Sequence, residues 1–106
     1  MYDVLIVGGE VVDGSGAPAQ RADVGITQGR IAGVGNLAKE GGKETIVAEG
    51  QIVAPGFIDL HAHDDFNLPV NPVQAGKVFQ GVTTDVVGNC GFSPAPIVPA
   101  RRKLAE

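Results

Sequence analysis

The chain has 106 residues and a formal charge of −4 at pH 7. That is the length of one average domain, without the basic excess that a nucleic-acid surface requires. Glycine accounts for 16 residues and proline for 7, yet a hydrophobic fraction of 43% is too high for a disordered chain. No apolar run reaches the roughly 18–20 residues of a membrane span, and the start "MYDVLIVGGE" has no basic segment ahead of its apolar run, so it is no signal peptide. These features predict a folded, turn-rich, cytoplasmic protein with neither nucleic acid nor membrane as partner.

The first half reads as β structure. "YDVLIV", "EVVD", "ADVGIT", "RIAGVG", "ETIVAE" and "QIVAP" are short, rich in valine and isoleucine, and separated by glycine-containing links. Gly8-Gly9, Gln28-Gly29 and Glu49-Gly50 each sit between two such runs, where glycine supplies the positive φ of a tight hairpin turn. Residues 1–54 are therefore expected to form a small antiparallel β module, with 13–20 and 37–43 as its longer loops.

From Pro55 the character changes. "GFIDLHAH" reads as a nearly continuous apolar strand of the kind buried on both faces in a parallel sheet. Asn71 suits a helix N-cap, Pro72 the first helical position and Gly81 the C′ position, with Ala75, Val78 and Phe79 on one face. Gly76 weakens that helix. "VTTDVVGN" (82–89) reads as a second strand, so the segment has the size of a βαβ unit with a right-handed crossover. A loop with three prolines follows, and Arg101-Arg102-Lys103 reads as a solvated face that opens a further helix.

Both histidines of the chain lie in "DLHAHDD". In a strand, residues i and i+2 share a face about 6.6–7 Å apart, so His61 and His63 are expected to project together at the strand's C-terminal end, where each can offer a nitrogen to a divalent metal. Asp59 shares that face and can orient a histidine from behind. Asp64 and Asp65 lie just past the strand, where functional loops of parallel α/β folds sit. Cys90 follows the second strand directly, bracketed by Gly88 and Gly91. Being the only cysteine, it has no intrachain disulfide partner, and its alternatives are a buried inert thiol or a ligand. Thiolate, imidazole and carboxylate together suit Zn²⁺. "IVGGEVVDGSG" lacks the spacing of a nucleotide loop, and Ser93 has no histidine outside the pair to serve as its base.

"YDVLIVGGEVVDGSG", "IVAPGFIDLHAHDD" and "QGVTTDVVGNCGFSPAP" resemble, in order and spacing, the start of the D-aminoacylase family, the N-acyl-D-amino-acid deacylases of the metal-dependent amidohydrolase superfamily. "PGFIDxHxH" alone marks the superfamily, and "HAHDD" combined with "GVTT…VGNCGFSPAP" the deacylase branch. The resemblance implies a (β/α)₈ barrel carrying a small β-sandwich built from both chain ends, with residues 55–106 as the barrel's first βαβ unit. It implies His61 and His63 as ligands of the first site of a binuclear zinc centre and Cys90 as its thiolate ligand. It also implies a small-molecule substrate, an N-acyl-D-amino acid, cleaved to a carboxylate and a D-amino acid. The family's later histidine ligands and its aspartate base have no counterpart among these 106 residues, and a barrel needs about 200–250. The chain is therefore expected to be an N-terminal fragment, inactive by itself and prone to self-association through exposed apolar surface. Two other readings stand beside it: a fragment of a cyclic-amide hydrolase of the hydantoinase or dihydroorotase kind, and a non-catalytic β module.

Overall fold

Five strands build the first of the two units into which the chain divides, Met1–Pro55. They are β1 (Tyr2–Val11), β2 (Gln20–Thr27), β3 (Arg30–Gly35), β4 (Gly42–Val47) and β5 (Ile52–Val53), in a computed structural model that describes residues 1–96. The sheet runs β3-β2-β1-β4, with β5 also pairing to β1. The pairs β1–β2 and β2–β3 are antiparallel, but β4 and β5 both run parallel to β1. The expected antiparallel module is thus a single mixed sheet. Its core gathers Leu5, Val24 and Ala48, of which Leu5 is only 1% exposed.

The three glycine links, alike in sequence, do three different things. Gln28 (φ 52°) and Gly29 (φ 70°) reverse the chain between β2 and β3, the tight hairpin expected from two consecutive positive φ values. Gly8-Gly9 makes no hairpin. The register of β1 against β2 passes from Ile6↔Val24 to Gly9↔Ala22, so β1 holds one extra residue, a β-bulge at Gly8 (φ 74°). Glu49-Gly50 is a turn without reversal: β4 pairs with β1 up to Val7↔Val47, and β5 resumes at Glu10↔Ile52 on the same side. Each link needs a positive φ, and only the partner strand decides what it accomplishes.

Asp23 locks this arrangement. Its Oδ1 accepts the Gly8 N–H (2.8 Å), and its Oδ2 accepts those of Leu37 (2.8 Å) and Ala38 (3.0 Å). One buried carboxylate so ties the bulge to the loop that leads into β4. The Gly8 N–H, opposed by burial and aided by the two loop amides, holds the Asp23 carboxyl below the usual carboxylate range. At the sheet's end the Tyr2 ring covers Gly25 so closely that a Cβ there would fall 2.6 Å from Tyr2 Cδ1, which makes glycine a packing requirement at that position.

The second unit begins at Gly56. In it β6 (Phe57–Asp59) and β7 (Val82–Asp85) pair in parallel, joined through the single-turn helix α1 (Ala75–Val78). The βαβ order is the expected one, but each element is shorter than its sequence suggests. The strand read through His63 stops at Asp59. The helix starts at Ala75 rather than at Pro72, because the Asn71 carbonyl accepts both the N–H (3.3 Å) and the side-chain amide (2.8 Å) of Gln74, and Gln74 takes a left-handed φ of 47°. Gly81, at φ 82°, turns the chain two residues past the C-cap Phe79, one position beyond the expected C′. Phe57, Ile58 and Leu60, read as buried on both faces, stand exposed. The run Arg101–Lys103 lies outside the described residues. No helix among the described residues is long and apolar enough to cross a membrane.

Candidate metal centre

The histidine pair is set by a turn rather than by strand parity. Beyond β6 the Asp59 Oδ1 accepts the His61 N–H at 3.0 Å, an Asx turn that bends the chain out of the extended form. Ladder contact persists on either side, with Val86 N–H to Asp59 O at 2.8 Å and Ala62 N–H to Val86 O at 3.1 Å. Ala62 is thereby buried while His61 and His63 stay exposed. Their rings meet edge to face, centroids 5.5 Å apart. Phe92 backs His63 at 6.0 Å and itself stacks on Phe66 at 4.5 Å.

Cys90 reaches the pair from the loop after β7. Its Sγ lies 3.3 Å from His61 Nε2. It sits in the left-handed region (φ 59°, ψ 16°) between Gly88 (φ 83°) and Gly91 (φ 67°), a conformation that a non-glycine residue keeps only when its surroundings enforce it. Asn89 supplies the enforcement: its side-chain amide donates to Ala62 O (3.2 Å) and Val86 O (2.7 Å), so the loop is tied to the ends of both strands.

The donor atoms of His61, His63 and Cys90 all lie within 4.8 Å of one another. Two donors on one tetrahedral zinc stand about 3.3–3.7 Å apart, given Zn–N of about 2.0–2.1 Å and Zn–S of about 2.3 Å. The His61–Cys90 pair already has that spacing, and rotation of exposed side chains closes the rest. A soft thiolate with two imidazoles is a donor set suited to zinc.

The three aspartates take other partners. Asp59 turns its other oxygen, and Asp64 its Oδ2, to the Lys77 ammonium, at 3.0 Å for Asp64, and Asp85 joins them at 3.4 Å. Asp59 therefore orients His61 through its backbone, not through a ring nitrogen. Lys77 above all, then the His61 amide, holds its carboxyl below the usual range. The same carboxylates, Asp59 first, raise the Lys77 ammonium above its ordinary value. Asp65 Oδ2 accepts from Ser93 Oγ at 2.6 Å, while its buried Oδ1 has no partner among the described residues. Ser93 is thus engaged by a carboxylate and by Ala95 O (2.8 Å), with no imidazole as its base. Lys77, Asn89 and Phe92 escape a reading of the sequence by motif. The signal for Asn89 is its place inside the glycine bracket around Cys90; for Lys77 there is none.

No protein-family profile matches the chain. It is 51% identical over 94 residues to an N-acyl-D-glutamate deacylase and 46% identical over 99 residues to a D-aminoacylase, both from Alcaligenes xylosoxydans xylosoxydans. These matches take in 89% and 93% of the chain but 19% and 20% of the relatives, so the chain spans about a fifth of the length of the curated relatives it matches. Among solved structures, the N-acyl-D-glutamate deacylase of Bordetella bronchiseptica, complexed with zinc and a phosphonate inhibitor, superposes with a TM-score of 0.87 at 46% identity, over 99% of this chain and 23% of that one. In sequence and in fold, the chain is thus similar over nearly its whole length to one stretch of the D-aminoacylases, which are metal-dependent amidohydrolases.

Proposed function

We propose that the chain supplies one side of the metal site of a zinc-dependent hydrolase that cleaves the amide bond of N-acyl-D-amino acids to a carboxylate and a D-amino acid. The observation that carries this is the convergence of His61, His63 and Cys90 within 4.8 Å, just past two adjacent parallel strands, in a chain 51% identical over 94 residues to an N-acyl-D-glutamate deacylase. His61 and His63 hold the metal through imidazole nitrogens and Cys90 through its thiolate. Asp59, Asp64 and Asp65 act behind them, on the backbone and on Lys77 and Ser93. A zinc ion bound there supplies Lewis-acid polarisation of the amide carbonyl and a lowered pKa for the attacking water. Residues 1–54 are then the β module, and 55–106 the first strands and helix of a (β/α)₈ barrel. The exposed Phe57, Ile58 and Phe79 support the barrel, since barrel strands and helices bury such side chains against further layers.

With three donors and no general base in the set, the 106-residue chain binds metal but does not turn over substrate. Its exposed apolar side chains also favour self-association. Cobalt(II) titration tests the site: one equivalent is expected to bind with a thiolate-to-cobalt absorption band that Cys90→Ser abolishes. A titration without that band would overturn the reading. Hydrolysis of an N-acyl-D-glutamate above a His61→Ala control would overturn the inactivity of the isolated chain.

A further inference from the structure

We propose that Lys77 is the positioning residue of the metal centre: its ammonium clamps the two ends of the histidine segment together and fixes where the donors stand. Asp59 lies two residues before His61, and Asp64 directly follows His63. Both carboxylates converge on Lys77 Nζ. The five-bond stretch between them contains no regular strand, so its shape depends on what closes it. Its middle is pinned at Ala62, by the N–H on Val86 O and by the carbonyl that accepts from Asn89; its ends are held by the Asx turn at His61 N–H and by this shared cation, delivered by the crossover helix.

The clamp also resolves an electrostatic conflict. Asp59 and Asp85 are register partners on β6 and β7, and like charges at paired positions on adjacent strands, about 4.8 Å apart, repel. Lys77 stands between them, with Asp85 Oδ1 at 3.4 Å, and its side chain is only 26% exposed, so water screens the contact weakly. Removing the cation leaves three carboxylates facing one another. The two ends of the segment 59–64 then part, and His61 and His63, on either side of the Ala62 anchor, turn away from Cys90. The inference rests on the metal reading for its consequence, though not for the clamp.

Two measurements on the 106-residue chain separate these. Without metal, amide hydrogen exchange at His61 is expected to accelerate in Lys77→Met and stay slow in Lys77→Arg, which keeps the charge. The Val86 amide, bonded to the backbone of Asp59, monitors that the strand pair is intact. With cobalt(II), Lys77→Met is expected to bind about 10–100-fold more weakly, as loss of a residue behind the ligands does elsewhere, with Lys77→Arg restoring most of the affinity and the thiolate band. Unchanged affinity in Lys77→Met overturns the proposal whether or not the exchange changes. Absence of the thiolate band in the unsubstituted chain instead overturns the metal reading, and the exchange arm then decides the clamp alone. If Lys77→Met unpairs the strands, Asp64→Asn, which releases one arm of the clamp, carries the same test, and unchanged affinity there is likewise fatal.

Discussion

The two units solve the problem of holding a small chain together in opposite ways. In Met1–Pro55 the buried side chains Leu5, Val24 and Ala48 form a core, and the one buried charge, Asp23, is satisfied by three backbone N–H groups. In the described part of the unit that begins at Gly56, Ala62 is the one buried hydrophobic side chain, and order comes from polar closure: Lys77 among three aspartates, Asn89 on two strand ends, Ser93 on Asp65. The first unit is built from surface removed from water, which is indifferent to direction. The second is built from directed contacts, which place atoms. The cluster of His61, His63 and Cys90 lies in the unit of the second kind.

Substitutions that touch one mode and spare the other test this contrast. Leu5→Ala is expected to cost the first unit about 2–5 kcal/mol while leaving cobalt affinity unchanged. Tyr2 is the chain's single tyrosine and there is no tryptophan, so denaturant unfolding followed by tyrosine emission reads that unit alone. Loss of affinity in Leu5→Ala would break the separation. His61→Ala should do the reverse, weakening cobalt binding by about 100-fold or more, equivalent to about 2.7 kcal/mol, without moving the tyrosine transition.

Asp23→Asn leaves one oxygen to serve the amides that two now share and is expected to destabilise the first unit by about 1–3 kcal/mol. Asp23 also gives that unit an acid limit. Its folded carboxyl sits below the ordinary carboxylate value of 3.8, so the stabilisation is whole above the unfolded value and fades as pH falls through the folded one. The tyrosine transition should fall with pH below about 4, and less so in Asp23→Asn. The smallest effect is expected for Arg21→Ala. The Arg21–Glu49 pair spans 3.1 Å with both side chains about 70% exposed, and such pairs contribute about 0.2–1 kcal/mol. A larger loss would mean that surface charge holds the first unit too.

Much of this was legible residue by residue. Gln28-Gly29 announced a hairpin because a positive φ at two consecutive positions is local chemistry. Gly8-Gly9 and Glu49-Gly50 carry the same signal and became a bulge and an offset step, because strands β4 and β5 came to lie parallel to β1, a pairing no local pattern encodes. The grouping was legible as well: scarce histidines two apart and a lone cysteine in a glycine bracket do come together. The reason given for their convergence was not, since the strand stops at Asp59 and an Asx turn takes over. Lys77 could not be found by motif, because its partner Asp59 is 18 residues away and a lysine on a helix looks the same whether it meets water or three carboxylates.

The sequence by itself therefore determined the chemistry on offer: imidazole, thiolate and carboxylate in one short region, glycine where φ must be positive, and valine and isoleucine where strands form. These are properties of a residue and its nearest neighbours. Only the tertiary structure decided the distances, namely which thiol lies 3.3 Å from which imidazole and which cation gathers which acids. Those depend on parallel pairing across a crossover, where contacts form between residues far apart in the chain.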